Sequence, residues 1–369
     1  MERTRNILIC PLEWGLGHAG RMIPIAEKLH ESGNHIIIGA GEEHLSFFRK
    51  ELPGLTYIDF PGYKPGYSKS LPQYLKLLFD MPVLIYHIIR EHRRLKKLIR
   101  KHEIDIVISD NRFGLWNSKI ISVYVTHMPR IPFPAPFSFL EFTGILLHRA
   151  VIKKYSFCFI PDLPGEINVS GRLSHGLRLP GNVRYIGLLS RFSGIKTTIT
   201  DNPVNIRHNT VILSGPEPQK GILKQKLIDI FHDKEPVTVF LGGKPDGSLE
   251  MSETGNIIWY DHLPSSAMKE VITTSESIIT RAGYTMIMEL ISLGCSAMLI
   301  PTPGQTEQEY LARNLDDRGW FKAISQKKLK GGTDPVSVKP NWTEELIRHS
   351  NLLLDRAIEE LLVKEQKKT

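Results

Sequence analysis

The sequence predicts an α/β fold in which two doubly wound domains follow one another. Two observations carry this. Short runs rich in Ile and Val alternate with stretches of helical period in both halves, and the runs are apolar throughout, the pattern of parallel strands covered by helices on both faces. Between the halves, residues 191–208 lose that periodicity and become polar, punctuated by Gly, Pro and Asn. A chain of 369 residues fits two domains of ~100–200 residues each. The expected organisation is a Rossmann-like domain at 1–190, a linker at 191–208, a second at 209–340, and a C-terminal helix and tail at 341–369.

In the first half, strands are expected at Arg5–Pro11, His35–Ala40, Leu55–Phe60, Ile104–Asp110, Ile121–Thr126, Tyr155–Pro161 and Val183–Leu188. A helix from Gly20 to Ser32 follows the first of them. In the second half, strands are expected at Thr210–Ser214, Val237–Leu241, Asn256–Tyr260, Ser277–Thr280 and Ala297–Pro301. Helices are expected there at Gln219–His232, Pro264–Val271, Thr285–Gly294 and Thr306–Gly319. A last amphipathic helix runs from Thr343 to Glu365.

Composition narrows the function classes. Hydrophobic residues at 41% and charged residues at 23% exclude a disordered chain. The three cysteines, Cys10, Cys158 and Cys295, are too few and scattered for a disulfide scaffold or a Cys-based zinc site, and suit a reducing compartment. Apolar stretches such as Met81–Tyr86 and Gly144–His148 fall well short of the ~18 residues of a spanning helix. The N-terminal apolar run is also too short for a signal peptide, so the expected location is cytoplasmic.

The net charge of +8 is concentrated in Arg90–Lys101, which holds seven Lys or Arg and one Glu, and this follows the apolar stretch Leu77–Ile89. Such a helix fits a peripheral position on an anionic membrane, the inner face, or simply a solvated basic surface. No aromatic-interleaved basic repeat or zinc motif accompanies it, so nucleic acid is not an expected partner.

The first strand runs into Gly15-Leu16-Gly17-His18. Gly15 and Gly17 permit a tight turn with positive φ, and a histidine there is suited to accept a proton from a bound hydroxyl near neutral pH. The plainer reading is a compact turn with His18 capping it. The fourth strand ends in Asp110, followed by Asn111 and Arg112, in the same crevice. A carboxylate there orients an imidazole, or merely caps a helix. In the second half, Ser214-Gly215, Gly242-Gly243-Lys244 and Arg281-Ala282-Gly283-Tyr284-Thr285 each put small or basic residues at a strand end, where anions bind. Glu289 lies one helical turn after Thr285, placed for ribose hydroxyls, and Gln308 offers a donor and an acceptor to a sugar.

The layout resembles the GT-B-fold glycosyltransferases, and more narrowly the family 28 group that includes MurG, the UDP-GlcNAc transferase of peptidoglycan lipid synthesis. The resemblance covers most of the chain. It rests on Gly15-x-Gly17-His18 and on the run Gly283, Glu289, Gly294, Pro301, Gln305 and Gln308. It implies two Rossmann-like domains facing across a cleft, with the C-terminal helix crossing back to the first. It also implies a nucleotide-sugar substrate, a UDP-sugar, and a hydroxyl acceptor that is lipid-linked. By resemblance, Glu289 binds the ribose, Gln308 the donor sugar, and Ser214 and Gly215 the phosphates. The backbone at Tyr260 reads the uracil edge, and Arg191 stands near the phosphates. Pro216 and Pro218 replace a small flexible pair, Glu309 stands where the group has a second Gln, and the first loop carries Trp14 in place of a fuller glycine pattern. The acceptor is therefore expected to differ from that of MurG.

The expected chemistry is single displacement with inversion. His18 is the base, assisted by Asp110. Helix N-termini near Ser214 and Gly283, with Arg191 or Arg281, offset the charge growing on the diphosphate. No Asp-x-Asp segment is present, so neither metal nor cofactor is expected. Three other readings remain. Gly15–Arg21 also resembles the Gly-x-Gly-His-x-x-Arg loop of UDP-sugar hydrolases, although Pro61–Arg100 looks like acceptor-groove material and favours a transferase. A protein that binds nucleotide sugars without turnover is the second alternative. A 2-epimerase needs further carboxylates that the sequence does not place.

Overall fold

The computed structural model describes residues 3–64, 80–195, 204, 206–243, 251–330 and 344–366. Outside the described residues lie 1–2, 65–79 of the expected acceptor-groove segment, 196–203 and 205 of the expected linker, 244–250 with Lys244, 331–343 and 367–369. The described residues form two compact units, one reaching Leu189 and including the C-terminal helix, the other running from Ser190 to Glu344.

The first unit is a seven-stranded sheet, with strands β1 (Asn6–Cys10), β2 (His35–Ala40), β3 (Thr56–Asp59), β4 (Ile106–Asp110), β5 (Ile121–Val125), β6 (Phe157–Ile160) and β7 (Val183–Tyr185). Their order is β3-β2-β1-β4-β5-β6-β7, all pairs parallel. The order reverses between β1 and β4, where Cys10 pairs with Ser109, so both strands deliver their carboxyl ends to one crevice. Residues Ile7–Cys10 and Ile106–Ile108 are fully buried. Each such Ile or Leu contributes about 1.5–3 kcal/mol by leaving water, which fixes the register.

The second unit repeats the design with strands β8 (His208–Ile212), β9 (Val237–Leu241), β10 (Met251–Thr254), β11 (Ile257–Tyr260), β12 (Ser277–Thr280), β13 (Met298–Leu299) and β14 (Lys322–Ala323). Their order is β10-β11-β9-β8-β12-β13-β14. Its reversal falls between β8 and β12, whose carboxyl ends carry Ser214-Gly215 and Arg281–Thr285.

Several boundaries differ from expectation. The helix expected from Gly20 to Ser32 is α2 (Ile23–Glu31), and a separate short helix, α1 (Leu16–Gly20), precedes it where a turn was expected; Pro24 in the first turn of α2 has no N–H to join the two. Strand β10 runs antiparallel to β11 and is exposed at all four residues, so no apolar run announces it. The stretch expected as a linker is partly packed into the second unit: Phe192 and Val204 are buried. The strand expected at Val183–Leu188 stops at Tyr185, and a turn at Gly187 with φ of 77° follows. A Cβ on Gly187 would meet the carbonyl oxygen of Ser350 at 2.2 Å. That close approach seats the C-terminal helix (Glu344–Gln366) in the first unit, where Leu354, Ala357, Ile358 and Leu361 are buried. The Ser350 hydroxyl accepts the Leu188 N–H at 2.6 Å, and Arg184 makes a two-pronged pair with Glu360 at 2.7 Å.

Candidate active site

In the first unit the chain leaves β1 through Pro11–Trp14 and turns at Gly15, whose φ of 119° and ψ of 158° suit only glycine. Gly17 does not share this role: it lies inside α1, with no positive φ. Three neighbours hold the turn. Glu13 is buried and accepts the backbone N–H groups of Gly41 at 2.5 Å and Gly62 at 3.1 Å. The Trp14 indole donates to the carbonyl of Tyr63, and Nε2 of His44 bonds the carbonyl of Gly15.

His18 sits in α1 with its side chain about one-fifth exposed. Its Nδ1 lies 2.8 Å from Oδ2 of Asp110, which is completely buried at the end of β4. Arg21, three residues on and so on the same helical side, is also buried and donates from Nε to Oδ2 of Asp110 at 3.0 Å and from Nη2 to Oδ1. Nη2 of Arg21 also lies 2.8 Å from Nδ1 of His18, and Nη1 lies 3.2 Å from Nδ1 of His127. Burial pushes the Asp110 carboxyl up, but Arg21 and His18 together hold it down at about 2. Burial and Arg21 push His18 below the ordinary histidine range against the opposing pull of Asp110. The result is an imidazole biased toward its neutral form, with Nδ1 against both Asp110 and Arg21.

Asn111 has φ of 49° and its amide oxygen accepts the Tyr124 hydroxyl at 3.1 Å. Arg112, expected with it on the acceptor side, is instead an interior residue. Its guanidinium pairs with Glu91 at 3.1 Å, donates to the carbonyl of Phe60 at 3.0 Å and covers the Phe60 ring. An arginine reading straight out of a strand end found interior carbonyls to satisfy before any ligand.

In the second unit, Gly283 caps α8 (Tyr284–Ser292), which has no acidic residue in its first turn. Tyr284, Thr285 and Glu289 are buried on this helix. Nε of Arg191 lies 3.1 Å from Oε1 of Glu289, so the two residues expected at ribose and phosphates are paired with each other. Gln305 precedes α9 (Thr306–Asp317), and the buried Gln308 accepts the Thr302 N–H at 2.9 Å. Glu309 accepts the Gly304 N–H at 2.9 Å, so it holds the loop. Tyr260 is buried at the end of β11, where its carbonyl accepts the Gly242 N–H.

Ser214 and Gly215 follow β8, with Gly215 in the left-handed region. The helix after them, α6 (Gln219–Phe231), has the N–H of Gly221 capped by Glu217 at 3.0 Å. Arg281 is not available to a diphosphate. It is fully buried and donates to the carbonyls of Ile300, Pro301 and Gln219. Burial also lowers its pKa to about 10. Among the described residues no cluster of three or more His, Cys, Asp or Glu is placed to hold a metal ion.

The sequence reading missed Arg21 and His127 as members of the His18 cluster. The first was detectable from its three-residue spacing after His18, the second from its position just past β5.

The chain is similar to known glycosyltransferases. Residues 223–336 match the glycosyltransferase family 28 C-terminal domain. An uncharacterised glycosyltransferase of Methanosarcina acetivorans is 23% identical over 335 residues, covering 84% of this chain and 83% of its own. The UDP-N-acetylglucosamine–N-acetylmuramyl-(pentapeptide) pyrophosphoryl-undecaprenol N-acetylglucosamine transferase of Desulforamulus reducens is 32% identical over 94 residues, 25% of each chain. In fold, the glycosyltransferase SnogD from Streptomyces nogalater superposes with a TM-score of 0.57 at 15% identity, covering 97% of this chain and 96% of its own. The chain thus has the GT-B fold of these glycosyltransferases, is similar to an uncharacterised glycosyltransferase along most of its length, and matches the family 28 C-terminal domain over residues 223–336.

Proposed function

We propose that this glycosyltransferase moves a sugar from a UDP-sugar to a hydroxyl acceptor by metal-independent single displacement with inversion. The observation that carries the reading is the 2.8 Å contact between His18 and the buried Asp110 at the switch point of the first sheet. His18 takes the hydroxyl proton on Nε2 while the acceptor oxygen bonds to the anomeric carbon. The bond from that carbon to the diphosphate breaks, and the diphosphate leaves with its electron pair. Asp110 holds the imidazole through Nδ1 and stabilises it once protonated. In the second unit, Glu289 takes the ribose hydroxyls and Gln308 the sugar. The N-terminus of α8 and Arg191 face the diphosphate, where oriented dipoles and a fixed cation stabilise the leaving charge.

A lipid-linked acceptor at an anionic membrane face fits the surface of the first unit. Helix α4 (Met81–Lys101) exposes Val83, Ile85, Tyr86 and Ile89 in its first half, and Arg90, Arg93, Lys96 and Lys97 in its second. Next to α5 (Leu140–Ile152), Phe139 is 70% exposed, and Phe142 on the helix is 66% exposed. No helix among the described residues is long and apolar enough to cross a membrane, so this reading has the chain resting on the lipid surface.

The test is calorimetry with UDP, GDP and TDP, followed by turnover of UDP-sugars with polyprenyl-linked and free hydroxyl acceptors. Selective UDP binding with acceptor-dependent UDP release supports the proposal. UDP release that ignores every acceptor identifies a hydrolase instead.

A further inference from the structure

We propose that Arg21 is a positioning residue for His18: a buried guanidinium that cancels the charge of Asp110, so that Asp110 orients the imidazole without making it a cation. The inference rests on the reading of His18 as base and goes beyond it by naming what keeps the base free of a proton. A histidine beside an unbalanced buried carboxylate is normally drawn toward the imidazolium form. An imidazolium has no lone pair with which to take a hydroxyl proton.

Here the carboxylate is already spoken for. Arg21 grips both oxygens of Asp110, from Nε and Nη2, in the bidentate geometry that suits guanidinium and carboxylate. Both residues are about 1% exposed or less, so water does not screen the pair. Nη2 also stands 2.8 Å from Nδ1 of His18, which places positive charge against the ring itself. Two further histidines lie in this loop region, one against Arg21 and one against the Gly15 carbonyl. His127 comes from just past β5, with its Nδ1 3.2 Å from Nη1 of Arg21, and it too lowers the proton affinity of His18. His44 comes from α3 (Glu42–Glu51), whose Nε2 bonds the Gly15 carbonyl. Neither supplies a negative charge. Burial lowers the proton affinity of His18 most, the Arg21 guanidinium lowers it next, and these with His127 outweigh the pull of the Asp110 carboxylate.

The experiment uses the full-length protein labelled with 15N-histidine, with His18 assigned by the signal lost in His18→Gln. Nitrogen shifts report the tautomer and the titration midpoint without any substrate. The parent chain should show a neutral ring near neutral pH. Arg21→Met should raise the midpoint by roughly one to three pH units, whereas Arg21→Lys should keep it low. Arg21→Met combined with Asp110→Asn removes both charges and should bring the midpoint back down. If Arg21→Met does not fold, the same effect is read as a rise between Asp110→Asn and the double variant. The acid limb of kcat/KM should move upward with the midpoint. An unmoved midpoint in Arg21→Met, or one as high in Arg21→Lys, overturns the inference. A fully active His18→Ala would instead remove His18 as base while leaving the midpoints standing, so the two failures are distinguishable.

Discussion

Arg191 and Glu289 lie 3.1 Å apart in the second unit, joining the segment just after Ser190 to α8. The pair is close enough for charge attraction, and both side chains are largely buried. Donor binding is expected to recruit the same two groups, so the pair holds their side chains in place beforehand. Glu289→Ala should therefore weaken UDP binding about 10- to 100-fold, the loss of ~1.5–3 kcal/mol expected for a hydrogen bond to a charged group. Calorimetry checks this, and unchanged affinity would remove Glu289 from the donor site.

His18→Ala should leave UDP affinity close to the parent value and reduce turnover by ~10²–10⁴-fold, the usual contribution of a general base. Steady-state kinetics beside calorimetry separates the two effects. A large loss of binding with intact turnover would reverse the assignment.

The pH dependence follows from the directions at His18 and Asp110. His18 acts as base when deprotonated, and its folded proton affinity lies below the ordinary histidine value of 6.5. Activity should be level above pH 6.5 and fall only as the pH drops through the lower folded value. Asp110 is held at about 2, below its ordinary 3.8. Between those values the unfolded chain binds more protons than the folded one. The stability Asp110 contributes is therefore complete above pH 3.8 and is lost as pH falls toward 2. Asp110→Asn leaves Arg21 buried without its anion and should cost about 3–5 kcal/mol near neutral pH. Urea unfolding at neutral and acid pH should show that gap narrowing on acidification.

Gly187→Ala places a methyl group 2.2 Å from the carbonyl of Ser350 at a φ of 77°. The C-terminal helix must shift to admit it. A loss of about 1–3 kcal/mol is expected from overpacking, with faster proteolysis within Glu344–Gln366. An unchanged melting temperature and cleavage pattern would mean that the helix seat yields freely.

Arg93→Glu with Lys97→Glu should reduce binding to vesicles containing anionic lipid, and Tyr86→Ser with Ile89→Ser should do the same by removing apolar contact. Neither pair touches the groups assigned to chemistry. Vesicle flotation measures both, and equal binding by all variants would exclude α4 as the lipid-facing surface.

The sheets were legible in the sequence because their interior strands, such as Ile7–Cys10 and Ile106–Ile108, are buried on both faces and apolar at every position. The meeting of His18 and Asp110 was legible for a related reason: strand carboxyl ends at a switch point converge, Asp110 ends β4, and His18 lies on the first helix after β1. The arginines were not. Arg112, Arg281 and Arg21 all sit in polar segments after strands, where a ligand and a ring of backbone carbonyls or a buried carboxylate look alike in one dimension. Only the fold shows that Arg281 is spent on three carbonyls while Arg21 completes the His18 cluster. The edge strand Met251–Thr254 was hidden because its four residues face solvent, so burial imposes no pattern on them.

Glu91 is the one acidic residue within Arg90–Lys101, and it is turned inward onto Arg112. Arg94 is partly drawn in as well, donating to the carbonyl of Asp59. What remains on the outer face of that stretch is Arg90, Arg93, Lys96, Lys97, Arg100 and Lys101, with no carboxylate among them. The interior thus sorts the charges of this helix by sign, burying the anion and displaying the cations as an unmixed field. Such a field reaches about one Debye length, ~8 Å at physiological ionic strength, and raises the encounter rate for anionic surfaces before any contact forms.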